Sequence, residues 1–533
     1  FKQKTAYEIR LSLVGSEMCI RDSSLSPALV DFIRYRRIIF DNPIHIPFAL
    51  LALFMGFRLV FLSSPESWGL FQNLTGEVDP LATFQKIAYY VICSMIAMLC
   101  GYQFFAHPKV NSPGISLKWS KEHGEGMARL GPFGLILFTV IFLSLGQWST
   151  QKLQMNGYGN TSAYVYMLIF TKSGILTLIT VYIVGRIPYK FRSSIFNPTY
   201  FILLIAFAIY LYTSFSTQGR FQLVAPLVAF GILLLRFNPT SKKLQSVLIL
   251  SFLFGLFLFN LAGALRVAYD EENKGNELNF SNIYRYYTER LSASEDFNGV
   301  EGMAMNMKYF NDEEGYLWGK SYAAVLWHWW PRSFVEQYLG IKKPLTVGIH
   351  LKGIFLADSN RLSENINRES GTLGFSPTFL GQNYENFGFV GGVICAFIQG
   401  VGLALLYNWV TRRYYSINVQ TLYACFLAAM PGLARGGTVA IDGANAFMGY
   451  LPVLLVIIIY RAPGAKWFPQ GDRSKITSLE NPDAGFAPSF PPFAPANEDQ
   501  EVPQPTGPVS HVRNISYPKR TMNPPTPNKA TQE

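Results

Sequence analysis

Arg220, Arg332 and Arg435 stand in places where an apolar chain has little use for charge. Arg220 closes a short polar turn, Ser214-Phe215-Ser216-Thr217-Gln218-Gly219, between two apolar runs. It reads either as an anion ligand or as an arginine snorkelling to the headgroups. Arg435 sits in Ala434-Arg435-Gly436-Gly437, where paired glycines let backbone approach a ligand; an ion pair with Asp442 is the alternative. Arg332 ends the run Trp327-His328-Trp329-Trp330-Pro331-Arg332. Guanidinium forks match phosphate oxygens bidentately, and tryptophan and tyrosine faces stack on sugar rings.

The carboxylates that can take a proton cluster nearby in sequence. One stretch reads Arg290-Leu-Ser-Ala-Ser-Glu295-Asp296-Phe-Asn-Gly299-Val-Glu301-Gly-Met. A second, after the acidic turn Asp312-Glu313-Glu314-Gly315, reads Tyr316-Leu-Trp318-Gly-Lys320-Ser-Tyr322. A third is Gln382-Asn383-Tyr384-Glu385-Asn386-Phe387-Gly388. Asp296, Glu301, His328 and Glu385 are the general-base candidates. Arg220, Arg290, Arg332 and Arg435, with Trp318 and Trp330, are the candidates for binding diphosphate and sugar. Trp329 and Trp330 also suit a helix seated in the headgroup belt. The chain has no D-x-D, no Walker motif and no H-E-x-x-H, and only 6 histidines, so no metal or other cofactor is expected.

What must hold these residues is apolar. Half of the 533 residues are hydrophobic and only 15% are charged, which excludes a disordered chain and an ordinary soluble enzyme. A bilayer-crossing helix needs about 20 mostly apolar residues. Ten runs qualify as candidates: 44–62, 81–105, 131–148, 161–185, 198–216, 221–236, 244–264, 387–409, 418–434 and 445–460. The expected fold is all-α, a polytopic bundle of about ten spans with one large external loop, 265–386. Domains then read as 24–264 (N-terminus and seven spans), 265–386, and 387–460 (three spans). Residues 461–533 hold 14 of the 31 prolines and form a tail that cannot bury a core. Residues 1–23 read as translated adapter sequence rather than native chain; they lack the apolar core of a signal peptide.

Charge sets the expected orientation. One set of loops holds 17 Lys and Arg residues, from Arg34 to Lys466; the alternate short loops hold Lys152, Arg220 and Arg435. By the positive-inside bias both termini are cytoplasmic, the loop 265–386 is external, and the net charge of +11 needs no nucleic acid. Lys172 in the fourth run reads as a pairing or snorkelling residue, and Arg58, near the outer end of the first run, as a snorkelling one. Cys93, Cys100, Cys395 and Cys425 lie in apolar runs and read as packing residues.

Several of these stretches resemble Wzy-type O-antigen polymerases, the oligosaccharide repeat-unit polymerases. They are Glu295-Asp296-Phe297 with Gly299-Val-Glu301-Gly-Met, Trp330-Pro331-Arg332 with Lys342-Lys343-Pro344, and Ser376-Pro377-Thr378 leading into the Gln382–Gly391 approach. The Gly219-Arg220 turn is similar to a further family feature. The likeness covers about residues 40–460 in layout and is confined at residue level to these motifs. The turn before the first motif departs from the family pattern, and the Pro-rich tail is foreign to it. The resemblance implies a GT-C-like, metal-independent glycosyltransferase at the outer face of a bacterial inner membrane. Its donor would be a glycan on undecaprenyl pyrophosphate and its acceptor the next lipid-linked repeat unit, with a chain-length regulator as a possible partner. Membrane lipids surround it. The related alternatives are an O-antigen ligase and a lipid-linked-sugar flippase.

Overall fold

The structure is a computed structural model; it describes residues 26–33, 39, 41–56, 58, 59, 62, 80–107, 115–156, 220–237, 246, 284, 299–310, 315–326, 337, 338, 340, 378–436 and 439–469. All of them fall in one compact unit, Phe1–Ile476. Among them helix dominates and no strand occurs. The expected spans 161–185, 198–216 and (Ser246 apart) 244–264 lie outside the described residues, as do Lys172, residues 1–23 and the tail beyond 469.

In chain order the helices are α1 (His45–Leu51, continued by a π-turn Ala52–Gly56), α2 (Pro80–Phe105), the short α3 (Leu117–Glu122) and α4 (Gly126–Arg129), and α5 (Pro132–Asn156). Then come α6 (Arg220–Phe237), α7 (Gly299–Tyr309), the short α8 (Lys320–Ala323), α9 (Thr378–Thr411), α10 (Ile417–Gly436) and α11 (Val439–Tyr460). Among the described residues three helices are long and apolar enough to cross a membrane: Ala82–Phe105, Thr378–Thr411 and Ile417–Ala434. By length and composition this marks a membrane protein.

α2 and α9 form the central pair, and small residues explain how closely they pack. Gly392, Ala396, Gly400 and Ala404 recur every fourth position, one stripe of a helix. A Cβ on Gly400 would stand 2.1 Å from the Met98 carbonyl oxygen, and one on Gly101 would stand 2.3 Å from that of Phe397. Backbone therefore meets backbone, a contact only glycine permits. The opposite faces are bare and apolar. Val390, Ile394, Ile398 and Leu405 are exposed on α9; Tyr89, Ile96 and Phe104 on α2; Phe133, Leu137, Ile141 and Trp148 on α5. Cys93 and Cys100 share the exposed face of α2, so of the cysteines read as packing residues only Cys425 is fully enclosed. Apolar stripes of this length suit lipid, not water.

The connections sort to two ends. At one end α3 and α4 pack on the α9–α10 turn. Glu125 is buried there; it accepts hydrogen bonds from the Ser416 hydroxyl and, at 3.3 Å, from the Asn418 amide. Burial pushes its carboxyl above the ordinary range, and the Ser416 and Ser120 hydroxyls oppose that rise. Arg236, fully buried near the end of α6, pairs with Asp41 at 2.5 Å and lies 4.5 Å from the Tyr414 ring and 4.9 Å from that of Tyr423. Lys118, Lys121, Arg412, Arg413, Arg461 and Lys466 belong to the same end. The other end holds α7, α8 and the start of α9.

Candidate functional site

α9 is two helices joined at Gly388, whose φ of 66° and ψ of −161° interrupt the run. The sequence places the eighth span at 387–409, with 378–386 in the external loop. Within that stretch Thr378–Asn386 are helical and wholly buried. A polar, buried half-helix therefore caps an apolar one, and its hydrogen bonds must be met inside the protein.

The 315–322 segment meets them. Where Gly388 ends the first half of α9, its final carbonyls lack helical donors. Leu317 N–H donates to the Glu385 carbonyl and Trp318 N–H to that of Asn386, both at 2.9 Å. Gly319 N–H donates to Asn386 Oδ1 at 3.0 Å. Ser321 Oγ accepts from Asn386 Nδ2 at 2.6 Å and from Gln382 Nε2 at 2.9 Å. The Tyr322 hydroxyl donates to Asn383, whose amide exchanges a reciprocal pair with Gln399 at 3.0 and 3.2 Å. Burial pushes the Tyr322 phenol up, with Cys395 and Glu385 adding to the effect. From α2, Tyr90 donates to the Leu380 carbonyl at 2.9 Å and meets Tyr384 edge-on, centroids 5.3 Å apart. Tyr316 lies edge-on to both Tyr384 and Trp318.

α7 supplies the second carboxylate. Glu301 is 0% exposed, and Arg58, 3% exposed, donates to its Oε1 from Nε at 2.7 Å and from Nη2 at 2.5 Å. The snorkelling expected of Arg58 is thus replaced by a buried ion pair: a partner 243 residues away satisfies the guanidinium where headgroups would have. Asn306 Nδ2 fixes α7 to α9 through the Gly381 carbonyl at 2.6 Å.

Of the residues expected to act, Glu301, Glu385 and Trp318 come into one packed unit of α7, the 315–322 segment and the polar half of α9. Glu385 is 1% exposed, while Trp318 is 73% exposed and offers a free ring face. Arg220 begins α6 and Arg435 lies one residue before the end of α10. Both helices have their other terminus at the Arg236 end, so these two arginines sit at the α7 end. Asp296, Arg290, His328, Trp330 and Arg332 lie outside the described residues, as does Lys342-Lys343-Pro344. Among the described residues no group of three or more His, Cys, Asp or Glu is placed to hold a metal ion.

Sequence reasoning misses the network that Gln382, Asn383 and Asn386 build with Ser321, Tyr322 and Gln399. Its one signal is three carboxamides within five residues, directly before an apolar run. Arg58 also carries a signal, a charge inside an apolar run, which by default marks function. Comparison with family models, curated proteins and solved structures returns no match.

Proposed function

We propose that the protein polymerises lipid-linked oligosaccharide repeat units. It transfers a growing glycan from undecaprenyl pyrophosphate to the next lipid-linked unit, without a metal, at the outer face of a bacterial inner membrane. One observation supports this above the others. Two buried carboxylates, a carboxamide network and an exposed tryptophan gather at the end of the apolar helices where Arg220 and Arg435 also sit, and Lys118, Lys121, Arg412, Arg413, Arg461 and Lys466 gather at the opposite end. Such cations stabilise the charge that grows on a departing diphosphate. Trp318 offers a ring face to a sugar, and a carboxylate takes the proton of the attacking hydroxyl. Direct displacement inverts the anomeric carbon. Lateral entry of both lipids between helices brings the reactants together, which supplies much of the rate. The ten-span topology with cytoplasmic termini belongs to the same proposal and rests on the distribution of Lys and Arg.

The test is complementation of a bacterium that lacks its own polymerase for the matching glycan. A ladder of chain lengths on a gel is the expected result. Transfer of a single unit to the lipid A core would make the protein a ligase. Cysteine labelling that placed 265–386 in the cytosol would overturn the orientation and the site with it.

A further inference from the structure

We propose that Glu301 is the group that takes the acceptor hydroxyl's proton, through Oε2, and that Arg58 is its positioning residue; the proposal rests on the polymerase reading above. The geometry of the pair separates the two carboxylate oxygens. Arg58 reaches Oε1 twice, from Nε at 2.7 Å and Nη2 at 2.5 Å. Oε2 is buried and has no hydrogen-bond partner. Thr378 Oγ1, at the start of α9, is likewise buried without a partner, and Thr378 holds a φ of 63°. A Cβ on Gly299 would stand 3.2 Å from the Phe54 carbonyl oxygen and 3.5 Å from Thr378 Cγ2. The π-turn after α1, the start of α7 and the first residue of α9 therefore meet at one point, with Glu301 two residues beyond Gly299.

Buried polar atoms without partners are rare in folded proteins and mark places kept for something else. What Glu301 Oε2 calls for is a hydrogen-bond donor, while the Thr378 hydroxyl can donate or accept. Sugar hydroxyls donate; the oxygens of an ionised diphosphate do not. The junction therefore suits the acceptor sugar and not the departing group, which falls to the arginines at the ends of α6 and α10. In the transfer, the acceptor's O–H proton passes to Glu301 Oε2 as its oxygen bonds to the donor's anomeric carbon. The bond from that carbon to the diphosphate oxygen breaks, and its electron pair leaves with the phosphate. Arg58 keeps the carboxylate turned so that Oε2, and not Oε1, faces the incoming hydroxyl. Glu301 is fully enclosed, so a hydroxyl reaches it only where the junction parts. The strained Thr378 backbone is the place that yields, since strain of this kind gathers at switching sites. Glu385 plays a different part, because Asn386 Nδ2, at 3.4 Å from Oε1, ties its carboxylate to the carboxamide network.

The experiment uses the full chain, purified and reconstituted in liposomes, and reads extension of a lipid-linked repeat unit. Glu301→Gln keeps the shape and one acceptor oxygen. It is expected to accumulate in the membrane like the wild type, with an unchanged KM for the acceptor and a kcat lowered about 100-fold or more, the usual scale for a lost general base. Arg58→Lys keeps the charge but not the two-pronged hold, and is expected to lower kcat with abundance unchanged. The reversed pair, Arg58→Glu with Glu301→Arg, separates chemistry from scaffolding. It is expected to accumulate better than either single reversal while remaining inactive. Recovery of both abundance and turnover in the reversed pair would make the contact a clamp and overturn the proposal, even if Glu301→Gln failed to fold. Near-wild-type kcat in Glu301→Gln would overturn it as well. A wild-type protein that extends nothing would remove the polymerase reading and this proposal together, whereas turnover kept by Glu301→Gln removes the proposal alone.

Discussion

Gly388→Ala is the substitution for which the structure allows the fullest accounting. The φ of 66° with ψ of −161° belongs to a region that only glycine occupies comfortably, and forcing alanine into it costs about 1–3 kcal/mol. The new Cβ would also stand 2.7 Å from Tyr316 Cζ and 2.9 Å from its hydroxyl. That ring cannot swing away freely, because it is held edge-on between Trp318 and Tyr384. Moving it forfeits aromatic contacts of about 0.5–1.5 kcal/mol each. It also loosens the Leu317 and Trp318 amides that cap the first half of α9, at about 1 kcal/mol each. Together the cost is about 4–8 kcal/mol, enough to unseat the 315–322 segment. Gly402→Ala is the control. It lies in the same helix, its Cβ would meet nothing within 4 Å, and it gains about 1 kcal/mol of helix propensity. Thermal melting of the purified variants in detergent should show Gly388→Ala well below the wild type and Gly402→Ala level with it or above. Identical melting of the two variants would refute the claim that Gly388 sets the junction.

Glu125 should make stability depend on pH. Burial raises its folded pKa above the ordinary 4.5, so the folded state favours the neutral form. Its stabilising contribution is fully present below about pH 4.5 and is lost as pH rises through the raised folded value. Glu125→Gln removes that loss. Between about pH 5 and pH 8 its melting temperature should fall less than that of the wild type, and parallel curves would count against the argument. At the same end, Arg236→Met leaves Asp41 without its cation and should cost about 3–5 kcal/mol in denaturant unfolding. Arg236→Lys keeps a charge but loses the planar stacking on Tyr414 and Tyr423, and should fall between. A Met variant as stable as the wild type would show that the cage holds nothing together.

The helices α2, α5, α6, α10 and α11 stand where apolar runs are written in the chain, because an apolar helix demands only local properties: length, apolarity and a self-satisfied backbone. The stripe from Gly392 to Ala404 is equally visible as a pattern, although its partner is not. The sorting of Lys and Arg between alternate loops is likewise countable residue by residue. Nothing local, however, says that Arg58 pairs with Glu301 rather than with headgroups, or that Ser321 answers Gln382 and Asn386 from sixty-odd residues away. Nor does hydropathy show that Thr378–Asn386 form a buried half-helix. A buried polar group is stable only against a specific partner at hydrogen-bond distance, and that partner is chosen by packing across the whole chain. Apolar burial asks only for the absence of water, which is why apolar helices could be read from composition and the site could not.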